Sequence, residues 1–437
     1  MKKSLLSLTL LVLSLCASAQ GVGKYVGGDI SMLPKYEAAG DIYLDESGNN
    51  INDLITWLTT KCGWNTFRVR LFVNPQQKGN DNKLDLSVCQ DLDYVTTLGK
   101  RIKAAGAKFM LDFHYSDTYV DATHIQKPAA WAGLSNAELA TKLGEYTTEV
   151  LQHLNDNNAT PDFVQVGNEI MYGLCDIKVH PYDATGDNWT DYIALLKAGC
   201  NAVRAKCPNA QIIIHTDRPT NKSYNKYYYD KLINGGVDFD VIGLSYYPFW
   251  HGKIYDLQQS LAHLNTNFSS KKVQIVESAY YFQNWPNSGI SNDNDTRTTW
   301  PCSADGQYKF VSDLLNLLKS FPQVEGYSYW FPEEIGNGYG VTDWVNYTGA
   351  VMNYWVNRGL WWPENSNTQK HWPLQPSSGM VHYKMKDFLD PNATGITSVE
   401  EGKESQKNGA MYSTTGQRVD ENYKGLVIQN GKKFIKR

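Results

Sequence analysis

The chain has 437 residues, with 41 Lys and Arg against 45 Asp and Glu, a formal net charge of −4. A mildly acidic balance gives no electrostatic case for nucleic acid or anionic membrane as a partner and points to a neutral substrate. Beyond the N-terminus no run of about 18 apolar residues occurs, so no membrane span is expected.

Lys2 and Lys3, the apolar run Leu5 to Leu15, and Ala17-Ser18-Ala19 form the pattern of a secretory signal. Residues 1–19 are therefore expected to be removed, and the mature protein to be exported to the periplasm, the cell surface or the medium. Cys16 offers a lipoprotein alternative, disfavoured by the bulky Leu15 before it. The remaining cysteines are Cys62, Cys89, Cys175, Cys200, Cys207 and Cys302. In an exported chain these predict one or two disulfides, and with no C-x-x-C pair a zinc site has little support.

Eight apolar runs read as strands: Lys24–Ser31, Asn65–Phe72, Lys108–Tyr115, Asp162–Ile170, Gln211–Asp217, Phe239–Tyr247, Lys272–Tyr280 and Val324–Phe331. Helical spacing lies between them, as in Leu92, Val95, Leu98 and Ile102, or Leu139, Leu143, Tyr146, Val150 and Leu154. It recurs at Ile193, Leu196, Gly199 and Val203, at Leu257, Leu261 and Leu264, and at Phe310, Leu314, Leu317 and Leu318. Continuous apolar strands alternating with helices imply a parallel sheet covered on both faces. Eight such units predict an α/β fold, a closed (β/α)8 TIM barrel over residues 20–391. No G-x-G-x-x-G follows the first strand, which lowers a dinucleotide-binding alternative. Residues 392–437 read as a polar linker, Ser398–Lys407, and a short β-rich tail with an Asn-Gly turn. The tail is too short for a core of its own and resembles the C-terminal segments of secreted bacterial proteins.

The 13 Trp and 28 Tyr fit two readings equally, an aromatic-lined groove for sugar rings or a large aromatic core. The strand ends favour a groove. In a parallel barrel the site lies at the C-terminal ends of the strands. Those ends carry Arg68-Val69-Arg70, Asp112-Phe113-His114, Gly167-Asn168-Glu169, Ser245-Tyr246-Tyr247, Glu277 and Tyr329-Trp330. Two carboxylates at one rim are what glycoside cleavage requires, one protonated to donate and one ionised to attack. Glu169 and Glu277 are the candidates. Arg70 is expected to keep Glu277 ionised, a purely structural Arg70–Glu277 ion pair being the alternative. Asn168 is a candidate partner for a sugar hydroxyl, His114 a sugar contact or a satisfied barrel histidine, and Trp330 a platform under the sugar or a core cap.

Several segments together resemble glycoside hydrolase family 53. They are Val26-Gly27-Gly28-Asp29-Ile30-Ser31, Asn65-Thr66-Phe67-Arg68-Val69-Arg70-Leu71, Leu111-Asp112-Phe113-His114-Tyr115-Ser116-Asp117-Thr118 with Lys127-Pro128-Ala129-Ala130-Trp131, Val164-Gln165-Val166-Gly167-Asn168-Glu169, Val276-Glu277-Ser278-Ala279-Tyr280, and Gly326 to Pro332 with Gly336-Asn337-Gly338. The resemblance spans roughly residues 22–388. It implies a monomeric endo-acting retaining hydrolase of β-1,4-galactan, with Glu169 as acid/base and Glu277 as nucleophile. It further implies substrate contacts from Arg70, Asp112, His114, Asp117, Tyr119, Asn168, Tyr246 and Trp330. The reaction requires no cofactor. Some relatives hold calcium in a late loop, for which Asp293 and Asp295 are the candidate ligands, ordinary turn residues being the alternative. The chain departs from the family pattern at Tyr119, at Ala122-Thr123 and in the polar stretch 282–299, which puts chain-length preference in doubt and not the reaction. A mannan- or glucan-acting relative, or a glycan-binding barrel without catalysis, are the competing readings.

Overall fold

The computed structural model describes residues 24–76, 86–180, 188–283, 296–335, 357–363 and 369–389, and the backbone of six short strands at 344–345, 351–352, 411–413, 418–419, 425–429 and 432–436. The signal segment, the linker 398–407, Gly336-Asn337-Gly338, Asp293 and Asp295 lie outside the described residues.

All eight expected strands form, as β1 (Tyr25–Asp29), β2 (Thr66–Leu71), β3 (Lys108–Phe113), β4 (Phe163–Val166), β5 (Gln211–Thr216), β6 (Val241–Ser245), β7 (Lys272–Glu277) and β8 (Val324–Trp330). Each pairs in parallel with its sequence neighbour, and β1 pairs with β8, so the sheet closes. The chain is thus a (β/α)8 barrel. Gly27 stands at the β1–β2 seam, where a Cβ would lie 1.7 Å from the Thr66 carbonyl oxygen. The strands end earlier than their apolar runs suggest. β4 stops at Val166 because Gly167 and Glu169 take positive φ, and β6 stops at Ser245 because a short helix starts at Pro248.

The expected helices form at Leu92–Ala104, Asn136–Asp156, Trp189–Lys206, Ile254–Asn267 and Ala304–Lys319. Ser135 and Glu138 cap the second of these reciprocally, which satisfies backbone donors at its start. A further helix, Lys222–Asn234, escapes an aliphatic periodicity because its buried positions are Tyr224, Asn225, Tyr228, Tyr229 and Leu232. Much of the aromatic content is therefore core. Tyr192 and Tyr228 hydroxyls meet at 2.6 Å inside it.

Strand parity divides the interior into two layers. Phe67, Val69, Leu111, Phe113, Ile212 and Ile214 face the helices in the main apolar core. Met110, Phe163, Ile213, Val241 and Val276 fill the barrel's lower interior as a second cluster. Further toward the C-terminal face the inward rows carry Asp112, Gln165, His215 and Ser245, and Arg68, in register with Met110, reaches Asp112 with its guanidinium. Glu277 joins them through an irregularity. The β6–β7 register slips between Ile275 and Glu277, so Val276 and Glu277 both point inward.

None of the six described cysteines is bridged to another, which corrects the expected disulfides. Four are buried core residues. Cys200 and Cys207 stand two turns apart along one helix and its cap, roughly 10 Å, beyond the span of a bridge. The C-terminal strands form an antiparallel four-stranded sheet, with Gln429 opposite Lys432.

Gly27→Ala drives a methyl into a backbone carbonyl and should cost about 1–3 kcal/mol in urea unfolding. Gly144→Ala, whose Cβ would meet Ala198 at an ordinary 3.4 Å in mid-helix, should be neutral or mildly stabilising. Equal midpoints for the two variants would show that the seam does not require glycine.

Candidate active site

Arg68 is the hub of the polar layer. It is 1% exposed. Its Nη1 donates to Asp29 Oδ2 at 2.7 Å, and its Nη2 to Asp112 Oδ2 at 2.8 Å and Asn168 Oδ1 at 2.7 Å. The same Nη2 lies 3.0 Å from Glu277 Oε1. Burial opposes the guanidinium charge, and Asp112, Glu277 and Asp29 outweigh it and hold Arg68 above the usual arginine range.

Glu277 accepts from Tyr247 Oη through Oε2 at 3.0 Å. Burial pushes its carboxyl up to about 7; Arg68 and the Tyr247 hydrogen bond pull the other way, while Asp112 and Asp29 add repulsion. Glu169, across the cleft, is raised well above the carboxylate range by burial, by Glu277 and by Asp217. Carboxyls that repel one another in this way share a proton, and the ordering places it on Glu169.

The backbone presents Glu169 in an unusual way. Gly167 has φ 92° and Glu169 φ 46°, so the chain turns sharply past the end of β4. Such a conformation in a non-glycine residue needs support from its surroundings. The single 3-10 turn that follows, Ile170–Tyr172, is pinned by Tyr192 Oη donating to the Ile170 carbonyl and Tyr224 Oη to the Met171 carbonyl, both at 2.7 Å. His215 Nδ1 accepts the Glu169 amide at 3.3 Å. Ser245 Oγ lies 2.5 Å from Glu169 Oε1 and 3.5 Å from Glu277 Oε2.

The other expected contacts fall in three groups. Asn168 and Trp330 reach the site. Asn168 is held by Arg68 and donates to the Val120 carbonyl at 2.7 Å, and Trp330, 7% exposed, is backed by Arg358 at 4.6 Å from its ring centroid. Tyr119 stands over Arg70, which lies 5.2 Å from its ring centroid, with its hydroxyl 2.9 Å from Ser87 Oγ. A second group lies beneath the site. Asp112 is fully buried, and against the cost of burial Arg68 and His114 keep it below the ordinary carboxylate range. His114 accepts the Val120 amide at Nδ1 and faces Asp112 from Nε2 at 3.2 Å, so both nitrogens are engaged and it is the satisfied barrel histidine. Asp117 accepts the amides of Asn74 and Ala129 and organises loops.

Two assignments change. Arg70 does not reach Glu277; its Nη1 meets Asp29 at 3.3 Å and its guanidinium sits 4.6 Å from the Phe331 ring centroid. Arg68, one inward step deeper on the same strand, meets Glu277 instead, at 3.0 Å. Tyr246 points outward, its hydroxyl donating to the Gly252 carbonyl at 3.1 Å. Parity sends Ser245 and Tyr247 inward instead. Gln165, His215 and Asp29 are not among the expected contacts, and Ser245 and Tyr247 stand there only as flanks of Tyr246; alternation along each strand's inward row finds all five. Among the described residues no group of three or more His, Cys, Asp or Glu is placed to hold a metal.

The model of Glycosyl hydrolase family 53 matches residues 25–400. The chain belongs to glycoside hydrolase family 53. It is 33% identical over 347 residues to an arabinogalactan endo-β-1,4-galactanase of Cellvibrio japonicus, covering 76% of this chain and 87% of that one. It is 32% identical over 338 residues to an arabinogalactan endo-β-1,4-galactanase of Emericella nidulans, covering 75% and 90%. Among solved structures, the family 53 catalytic domain of Ignisphaera aggregans superposes with TM-score 0.68 at 30% identity, covering 84% of this chain and 96% of that one. A fungal β-1,4-galactanase follows at TM-score 0.65 and 26% identity, covering 83% and 98%.

Tyr247→Phe deletes a donor to the ionised form of Glu277 and so raises that carboxyl's pKa. The acid limb of the pH–kcat/KM profile should move to higher pH, with kcat/KM down about tenfold or more. Tyr246→Phe should leave kcat/KM within about twofold and cost about 1 kcal/mol of stability. Profiles that move equally in both variants would return Tyr246 to the site.

Proposed function

We propose that the protein is an endo-acting, retaining β-1,4-galactanase. The observation that carries this reading is the carboxyl pair at the barrel mouth, with Glu277 on Arg68 and Tyr247 and Glu169 raised well above its ordinary range. The two legs from Ser245 Oγ together are shorter than the roughly 6.5 Å at which inverting pairs begin, which supports double displacement. The names of the Cellvibrio and Emericella relatives support galactan as the sugar.

In this reading Glu277 attacks the anomeric carbon while the glycosidic C–O bond breaks. Glu169 gives its proton to the departing oxygen. Water then attacks the glycosyl ester, Glu169 takes a proton from it, and Glu277 leaves as a carboxylate. Asn168, anchored by Arg68 and Val120, offers its remaining amide proton to the sugar. Trp330 supplies an apolar face under the ring, and its backing by Arg358 fixes its position. The substrate is a neutral polysaccharide met outside the cytoplasm, in keeping with the Lys2-Lys3 and Leu5–Leu15 export pattern.

Release of reducing ends should be fast on potato galactan and weak on mannan and cellulose, with the β anomer appearing first by NMR. Glu277→Gln should lose about 10³-fold or more on every substrate. Glu169→Ala should lose about 10²–10⁴-fold on galactan. On a dinitrophenyl galactoside, whose leaving group needs no proton, its first step should survive, and azide should restore turnover. Equal activity on mannan would overturn the sugar, and first appearance of the α anomer would overturn retention.

A further inference from the structure

Resting on that assignment of roles, we propose that Ser245, oriented by His215, is a positioning residue that steadies Glu169 as a carboxylate during the second half-reaction. The argument begins with the imidazole. His215 is fully buried, and burial together with Arg68 keeps it neutral. Its Nδ1 receives the Gln165 Nε2–H at 3.0 Å and the Glu169 amide at 3.3 Å. Two donors facing Nδ1 outvote the Asn168 Oδ1 that lies 3.1 Å away, so Nδ1 carries the lone pair and Nε2 the proton. That proton goes to Ser245 Oγ at 2.8 Å.

Ser245 then has one proton to place. Glu169 Oε1 stands at 2.5 Å and Glu277 Oε2 at 3.5 Å. Glu277 already has Arg68 and Tyr247. Among the described residues Ser245 alone donates to the Glu169 carboxyl. The other groups that face Glu169 are Glu277 from β7, Asp217 beyond β5, Asp121 from the loop after β3 and the Tyr247 hydroxyl after β6. All three carboxylates repel a charge on Glu169. The charges exchange during double displacement. In the glycosyl ester Glu277 is neutral, and Glu169, having given its proton to the leaving oxygen, is the carboxylate that must take one from water. One histidine thus serves Glu169 twice, holding its strained backbone from Nδ1 and, through Ser245, its side chain from Nε2.

The test is pre-steady-state hydrolysis of a dinitrophenyl β-galactoside by the wild type and by Ser245→Ala, beside a ¹³C-glutamate NMR titration in which Glu169→Gln assigns the resonance. The first step needs no proton, so the burst rate should stay within about twofold. Turnover after the burst should fall about tenfold or more. The Glu169 midpoint should rise by about one pH unit, since a donor to its ionised form is lost. The alkaline limb of kcat/KM, set by loss of the Glu169 proton, should move up with it. Ser245→Thr should restore both values, and His215→Gln should give a smaller change in the same direction, which keeps the test open if Ser245→Ala does not fold. Burst and turnover falling together, or an unmoved midpoint, would overturn the proposal. A wild type inactive on the galactoside would sink the functional reading instead, while the titration still reports on the relay.

Discussion

A guanidinium with almost no access to water must find its counter-charges and hydrogen bonds inside the protein, or the fold does not form. Arg68 meets that demand with three carboxylates and an amide drawn from four different strands or strand ends, Asp29, Asp112, Glu277 and Asn168. Removing Arg68 would leave buried carboxylates unpaired, at a cost of about 3–5 kcal/mol. The arrangement is weak as a source of stability and strong as a constraint on position. Asn168, next to Glu169, and Glu277 are both tied to one rigid planar group, so the cleft's two sides cannot drift independently. Three carboxylates around one cation also leave an excess of negative charge. That excess, with burial, lifts Glu277 to about 7 and keeps the pair from losing both protons.

The barrel was legible because eight runs of apolar residues and the helical spacing between them are long signals that tertiary context does not reverse. The position of Glu169 and Glu277 at the barrel mouth was legible because each ends such a run. The contacts around them were harder to read, and the reasons are depth and parity. In Ser245-Tyr246-Tyr247 one alternation decides between the two tyrosines, while Arg68 and Arg70 share the inward face and differ only in depth. Residue type alone points to Arg70 and Tyr246; depth favours Arg68 and period favours Tyr247. Glu277 carries a further complication. Simple alternation from Val276, which packs inside the barrel, would send Glu277 outward among the helices. The slipped register between Ile275 and Glu277 turns it back, and no pattern in Val273-Gln274-Ile275-Val276 announces that slip.

Tyrosine usage shows how a core can act on a site. Tyr192 and Tyr224 belong to helices outside the barrel, and their rings pack with Tyr228 and Trp189. Their hydroxyls reach inward to the carbonyls that follow Glu169. A phenylalanine would fill the same volume and leave those carbonyls unpaired. The two readings of the aromatic content, groove or core, are therefore not exclusive here. The ring stabilises the helix layer by burial, and the polar tip sets the turn that aims Glu169.

The layer above the apolar barrel floor consists of groups that satisfy one another. Gln165 links Arg68, Asp112, Asn168 and His215. His114 closes the other side of Asp112. Glu169 and Glu277 are the members left with a face toward the cleft. A network whose deeper groups hold one another in this way has little freedom to reorganise as charge moves between its two open ends. That is the condition under which electrostatic stabilisation of a transition state costs least, because the dipoles are already in place when the bond breaks. Ser245, whose single proton lies within reach of either carboxylate, is the one group in the layer that can answer the exchange of charge by rotating a hydroxyl rather than by moving a side chain.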